Sequence, residues 1–267
     1  MKLITLNTHS LVEKNYNKKL KAFISLIKKY DPDIISLQEV MQPKDAKKAQ
    51  KTEKILSLGK IPVREENHVL TVLNRLIKEG FNYNCAWLGI KQAYDKYEEG
   101  VCILSKWEID EIKSILLSPF DVYENWKTRK TIGIRVKDRW FYSIHLSWWD
   151  DTESPSKYEI ETLYDKTNKE KTWLLGDFNC PSNEKNKGYD LLLNYWKDTF
   201  VIAEKKDDGI TVKGKIDGWK NSESKRIDYI LTNENIKIKS SQVIFNGKNG
   251  EIVSDHFGIL VETEENI

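Results

Sequence analysis

Apolar and polar positions along the chain alternate between two rhythms. Lys2 to Leu6 is an apolar run that ends at Asn7, the pattern of a buried strand. Leu20, Phe23, Ile24 and Ile27 then fall at i, i+3, i+4 and i+7, which predicts an amphipathic helix over residues 16–30. Asp31-Pro32-Asp33 stops it, and Ile34 to Leu37 forms the next strand, with Glu39 at its exit. The opening therefore reads β-α-β. Residues 43–60 are rich in lysine and read as a helix with a solvated face. A second helix spans 68–79 and closes at Gly80. Strands follow at 83–90, 101–104, 109–117, 131–136 and 140–145. A helix at 155–168 leads to a strand at 173–175, and three more strands occupy 227–231, 236–245 and 257–261. No repeat, low-complexity segment or Pro/Gly-rich linker interrupts the series. Strand runs followed by helices, twice over, predict one α/β domain across residues 1–267. Two sheets pack face to face in it, with helices outside and a frayed tail from Glu262.

Composition narrows the class. Hydrophobic residues make up 39% and charged residues 31% of the 267, enough for a sizeable core. Net charge is only +2, from 43 basic and 41 acidic side chains. A protein living on a phosphate polymer is expected to carry a strong basic excess, so nucleic acid is not the expected partner, although a local basic groove stays open. The first residues contain no apolar signal region, and no stretch approaches eighteen apolar residues, so a cytoplasmic protein without a membrane partner is expected. The three cysteines, Cys85, Cys102 and Cys180, are scattered with no CxxC spacing and read as free thiols. Cys180 neighbours Asp177 and Asn179, but nothing nearby resembles a base that would activate it.

Candidate chemistry sits where the strands end. Glu39, Asp177 and Asp255 are acids at such positions, and Asn7 and Asn179 are amides. An oxygen-rich set of this kind suits Mg²⁺, with Mn²⁺ as a substitute, acting beside a phosphate. Alone, Glu39 and Asn7 read as an ordinary surface acid and a turn residue; the set gives them meaning. Asp177 and Asn179 flank Phe178, so extended geometry would aim both to one side, where acid and amide could hold a water and a phosphoryl oxygen. Turn chemistry is the rival explanation of Gly-Asp-x-Asn. Asp228 is placed to accept the Nδ1 proton of His256, and Glu99 to orient His145. Arg129 reads equally as a loop charge or as a cation for the phosphate.

In order, Asn7, Gln38-Glu39, Gly100-Val101 with Ser105, His145-Leu146, Gly176-Asp177-Phe178-Asn179, Arg226-Ile227-Asp228-Tyr229 and Ser254-Asp255-His256 resemble the motifs of the endonuclease/exonuclease/phosphatase superfamily. That superfamily includes pancreatic-type DNases, abasic-site endonucleases, neutral sphingomyelinases and inositol polyphosphate 5-phosphatases. The resemblance runs from residue 3 to about 261. It implies a four-layer α/β sandwich of the DNase I type and dependence on Mg²⁺ or Mn²⁺. It implies that Glu39 and Asp255 ligate the metal with Asn7 close by. It implies that Asp177 deprotonates the attacking water, that Asn179 orients the phosphoryl group, and that His256 with Asp228 and His145 with Glu99 contact the phosphate. Which histidine acts as the acid stays open.

The substrate must be read from features particular to this chain. It has nine tryptophans and twelve tyrosines. Trp148 and Trp149 follow His145 closely, Trp219 precedes the Arg226–Asp228 motif and Trp126 precedes Arg129, whereas Trp140 and Trp173 lie inside strands and read as core. Loop indoles beside a phosphate site offer flat faces to a sugar or a base. The polar segment Arg64 to His68, with Asp150, Asp151 and Glu153, is expected to hydrogen-bond hydroxyls. The runs Asn7 to Ser10, His145 to Asp150 and Asp217 to Trp219 are similar to those of small bacterial superfamily members that hydrolyse sugar phosphates such as maltose 6′-phosphate. A small phosphorylated sugar is therefore the expected substrate, with His68 among its contacts. A nuclease or repair phosphodiesterase is the rival, a sphingomyelinase or a non-catalytic binding module a weaker one.

Overall fold

A computed structural model of the chain describes residues 1–50, 52–214 and 223–265. The opening is as its rhythm predicts: β1 (Lys2–Asn7), α1 (Tyr16–Tyr30) and β2 (Ile34–Pro43), with β1 and β2 parallel and Asn7 level with Gln38. Next come β3 (Ile55–Leu58), α2 (His68–Lys78), β4 (Asn84–Ala93), β5 (Tyr97–Ser105), β6 (Glu111–Leu116), β7 (Lys130–Val136) and β8 (Arg139–His145). The rest is α3 (Ser156–Thr167), β9 (Lys171–Asp177), α4 (Gly188–Leu193), β10 (Lys197–Asp198), α5 (Thr199–Ile202), β11 (Lys205–Lys206), β12 (Asp228–Thr232), β13 (Ile238–Ile244) and β14 (Gly258–Thr263).

The strands form an eight-stranded sheet, β11-β13-β14-β1-β2-β5-β4-β3, and a six-stranded sheet, β10-β12-β9-β8-β7-β6. Their facing surfaces bury Leu3, Ile34, Leu88, Ile103, Ile134, Phe141, Trp173 and Ile230 as one apolar layer. On the outer face of the larger sheet, Leu20, Phe23 and Ile27 of α1 and Val72, Leu73 and Leu76 of α2 cover Ile35, Leu37 and Trp87. On the outer face of the smaller sheet, Ile160 and Leu163 of α3 and Leu192 of α4 cover Trp140, Leu174 and Tyr229. Four layers result, helix–sheet–sheet–helix, with Trp140 and Trp173 in the core. The tail residues up to Thr263 are paired in β14 and therefore not frayed.

Residues 43–60 are not the expected helix. The chain turns after Pro43, bridges Lys48 to Arg64, and then adds β3 in parallel to β4. The lysines carry no apolar stripe to dock a helix, while Ile55 caps the edge of a sheet that offers unpaired backbone; tertiary pairing overrides local propensity here.

Sheet direction gathers the chemistry. Parallel β1 and β2 bring Asn7 and Glu39 to one end of their sheet. Parallel β8 and β9 set His145 level with Asp177 in the other. Antiparallel β12 starts at Asp228 opposite Asp177, and β14 starts just after His256 beside β1. Polar pins under the site align the two sheets. Gln38 Nε2 donates to Ser36 Oγ (2.9 Å) and Ser143 Oγ (3.1 Å), Ser143 Oγ donates to the Leu37 carbonyl (3.1 Å), and Ser36 Oγ to the Leu175 carbonyl (3.0 Å). Each such buried bond stabilises by about 1 kcal/mol and would cost more if left half-made.

Candidate active site

A β-bulge presents Glu39. Leu37 pairs with Cys102 but Val40 pairs with Gly100, so Gln38 and Glu39 together oppose Val101. Glu39 takes a left-handed φ of 51°, which turns its carboxylate out of the sheet while Gln38 stays between the layers. Gly176 sets the neighbouring spacing: a Cβ there would stand 1.9 Å from the Ile144 carbonyl oxygen, so only glycine lets β8 and β9 bring His145 and Asp177 this close.

One hydrogen-bonded chain links the acids. Asn7 Nδ2 donates to Glu39 Oε1 (2.9 Å) and to Asp177 Oδ2 (3.1 Å). The Asn179 backbone N–H donates to Asp177 Oδ1 (2.9 Å), and its side-chain Nδ2 donates to the Leu146 carbonyl (2.8 Å). His256 Nδ1 lies 3.0 Å from Asp228 Oδ2, and its Nε2 lies 3.8 Å from Asp177 Oδ2. His145 Nε2 lies 3.8 Å from the same Asp177 oxygen and 4.0 Å from Glu39. Above this floor opens a cavity of about 580 Å³.

Nine of the expected residues face that cavity: Glu39, Glu99, Arg129, His145, Trp148, Asp177, Asn179, Asp255 and His256. Asn7 and Asp228 are buried behind the floor and touch it through their hydrogen bonds. Other expectations need correcting. Asn179 is not extended but left-handed (φ 50°), so a turn, not strand alternation, brings it beside Asp177. Glu99 is 4.0 Å from His145 Nδ1, too far for a hydrogen bond, and pairs instead with Lys91 Nζ at 3.3 Å. His68 is the first residue of α2, buried away from the cavity, with Nδ1 2.9 Å from the Tyr16 hydroxyl. Asn67 caps that helix by accepting from the Val69 N–H, and Arg64 pairs with Glu98 at 2.6 Å, so the segment Arg64 to His68 serves packing. Trp149 packs on Gly188 at the start of α4 and does not line the cavity. Asp151 and Glu153 are neutralised by Lys127 at 3.0 and 2.9 Å. Trp219 lies outside the described residues.

The structure also adds His9, Tyr94 and Lys91, and places the expected loop indole Trp126 on the rim. His9 stands at the mouth in a left-handed conformation (φ 45°), 3.0 Å from Glu13 and 3.8 Å from Asp255. Its sequence signal is its place in the Asn7 to Ser10 run, two residues after Asn7. Tyr94 at the β4–β5 turn and Trp126 are each 50% exposed on the rim, and Trp126 meets Trp148 edge-on at 5.7 Å. Lys91 enters from near the C-terminal end of β4.

A family model described as the endonuclease/exonuclease/phosphatase family matches residues 4–256. The chain belongs to this family. An endonuclease/exonuclease/phosphatase family protein from Leptotrichia buccalis is 34% identical, with a TM-score of 0.88 over 99% of this chain and all of that one. A mannosyl-6-phosphatase from Bacteroides thetaiotaomicron shares the fold at 16% identity, with a TM-score of 0.67 over 99% of this chain and all of that one. So does a 3′ phosphatase from Neisseria bound to a product DNA hairpin, at 22% identity, with a TM-score of 0.65 over the same shares. No curated protein sequence matches the chain. Among the described residues, no helix is long and apolar enough to cross a membrane.

Enzymes of this family are generally dependent on a divalent metal, and the donor set here fits one. Burial, with Glu99 and Asp255 nearby, pushes the Glu39 carboxyl up to about 7. Burial and Asp228 push Asp177 up to about 7 as well. Acids crowded in this way lack counter-charge, and a hard cation supplies it. Among the described residues, His9, Glu13 and Asp255 have donor atoms within 4.8 Å of one another, as do Asp177, Asp228 and His256. In the second group His256 and Asp228 are already joined by a hydrogen bond, with Asp177 3.8 Å from the other ring nitrogen. Burial opposes the charge on His256, but Asp228 and Asp177 outweigh it and hold the imidazolium well above its ordinary range. His145 goes the other way: burial first, then Arg129 and Lys91, keep it neutral.

Proposed function

We propose that the chain is a metal-dependent phosphomonoesterase of small sugar phosphates, with maltose 6′-phosphate the leading candidate and Mg²⁺ the leading metal. The observation that carries the reading is the aromatic rim, Tyr94, Trp126 and Trp148, around a cavity whose floor holds a base, an imidazolium and an acid cluster. The volume of about 580 Å³ suits a small ligand with a sugar ring against an indole face. A cytoplasmic enzyme acting as one domain completes the reading, supported by three buried, unpaired thiols.

In this reading Asp177, with a pKa near neutrality, takes a proton from the attacking water. Asn7 and the Asn179 N–H hold its two oxygens and so fix the direction of attack. The new bond joins water oxygen to phosphorus while the phosphorus–sugar oxygen bond breaks in line; the leaving oxygen takes a proton from solvent, so the sugar departs as its alcohol and inorganic phosphate remains. His256, held charged by Asp228, donates to a phosphoryl oxygen. A divalent ion held by Glu39 and Asp255, with Asn7 steadying Glu39, would neutralise charge on the phosphoryl group. The test sets phosphate release from a panel of sugar phosphates beside nicking of supercoiled plasmid, each with Mg²⁺ and with EDTA. Selective, EDTA-sensitive release with closed plasmid supports the reading; nicked plasmid and an untouched panel replace it with a nuclease.

A further inference from the structure

One wall of the cavity concentrates positive charge that the hydrolytic machinery above leaves unused. Lys91 and Arg129 are 4% and 5% exposed and both line the opening. Lys91 Nζ donates to the Trp126 carbonyl at 2.6 Å, and Arg129 Nη1 donates to the same oxygen at 2.9 Å. A single acceptor thus gathers two cations side by side. Glu99 balances Lys91 at 3.3 Å. Among the described residues, no carboxylate forms an ion pair with Arg129, and its buried Nε has no hydrogen-bond partner. Burial, then Arg129, pulls Lys91 down to about 8, the mark of two cations crowded with too little negative charge between them. Buried cations without partners are costly, and a site that retains them at the wall of an open cavity is built for an anion.

We infer that Lys91 and Arg129 form the seat for the second negative charge of a phosphomonoester. The inference rests on the phosphomonoesterase reading and deepens it, because it says what selects a monoester over a diester. At neutral pH a monoester carries nearly two charges on its terminal oxygens, while a diester carries one and an extra bulky group in place of the other. The acid cluster of Glu39 and Asp255, with its cation, accounts for one charge. The second needs further cations on the cavity lining, and Lys91 and Arg129 stand there. A diester would set its extra ester group against this wall and leave Arg129 buried without a counter-ion. Lys91 acts here by contact with the phosphate, and Glu99 positions Lys91.

The test compares the wild-type enzyme, Lys91→Met and Lys91→Arg with p-nitrophenyl phosphate, bis(p-nitrophenyl) phosphate and inorganic phosphate as probes. Lys91→Met should lower kcat/KM for the monoester by about 100-fold, and for the diester at least about tenfold less than that. It should also weaken inorganic phosphate binding, read by calorimetry, by at least about tenfold. Lys91→Arg should recover much of both. Equal losses on the two esters with unchanged phosphate binding would mean that Lys91 only tethers the Trp126 loop, which overturns the inference and leaves the phosphatase reading standing. A wild-type enzyme that releases no phosphate from any monoester overturns the reading, and this inference with it.

Discussion

The floor of the cavity and its rim are built by opposite rules. Floor residues sit at strand ends or in the turns that leave them, buried, and almost every polar atom has a partner in the fold: Asn7 on two carboxylates, Asp228 on His256, Asn179 on Leu146. Rim residues sit on loops. Tyr94 and Trp126 are half exposed, and Trp148 meets its neighbour by an edge contact. The floor is held for one chemistry by bonds that exist before any substrate arrives. The rim offers flat surfaces that a substrate completes. On the proposed function, reaction belongs to the floor and selectivity to the rim, and substitutions should separate them.

The largest effect should come from the floor. Asp177→Asn keeps the shape and the Asn7 contact but removes the base, and should cut kcat by about 10³-fold with KM little changed; steady-state phosphate release checks it, and turnover near wild type would remove Asp177 from the mechanism. Asp228→Asn should follow at about 10²-fold, because His256 loses the carboxylate that keeps it charged. The rim should respond differently. Trp126→Ala or Trp148→Ala should raise KM for a sugar phosphate by about tenfold while leaving p-nitrophenyl phosphate within about twofold. Equal effects on both substrates would dissolve the distinction between floor and rim.

The smallest effect lies outside both regions. Burial pulls His68 down to about 4. The unfolded chain, with its ordinary histidine near 6.5, then binds a proton more readily than the folded one as pH falls between those values. His68 costs no stability above pH 6.5 and up to about 3 kcal/mol by pH 4. Urea midpoints at pH 7 and pH 4.5 should differ less in His68→Gln than in wild type. Parallel losses would argue that the imidazole is not the acid-sensitive group, and activity at neutral pH should be spared.

Much of the floor was legible because it depends on local rules that add up. An apolar run predicts a strand, an acid after it predicts a strand-end group, and parallel pairing does the gathering. Glu39, Asp177, Asp228 and His256 could be named in this way. Trp126, Trp148 and Arg129 could be named from their places beside the motifs, but Tyr94 and Lys91 could not. Lys91 lies one residue past the strand expected at 83–90, and only the fold extends β4 to Ala93 and brings its ammonium to the carbonyl that Arg129 also contacts. His68 misled because a polar residue at a helix start looks exposed, while Tyr16 of the neighbouring helix covers it. Glu99 was assigned to His145 because no sequence rule weighs a lysine eight residues earlier on the adjoining strand.

The extra residue in β2 makes the acid group a matter of parity. Strand side chains alternate faces, so an odd insertion is what allows Gln38 to knit the two sheets while its immediate neighbour reaches the opening. Removing one residue there would restore regular pleating and reverse everything downstream, exchanging Val40 and Met41 between faces. Length, not only identity, is therefore under constraint at this point of the chain, and a single-codon deletion should be more damaging than any substitution of Glu39 itself.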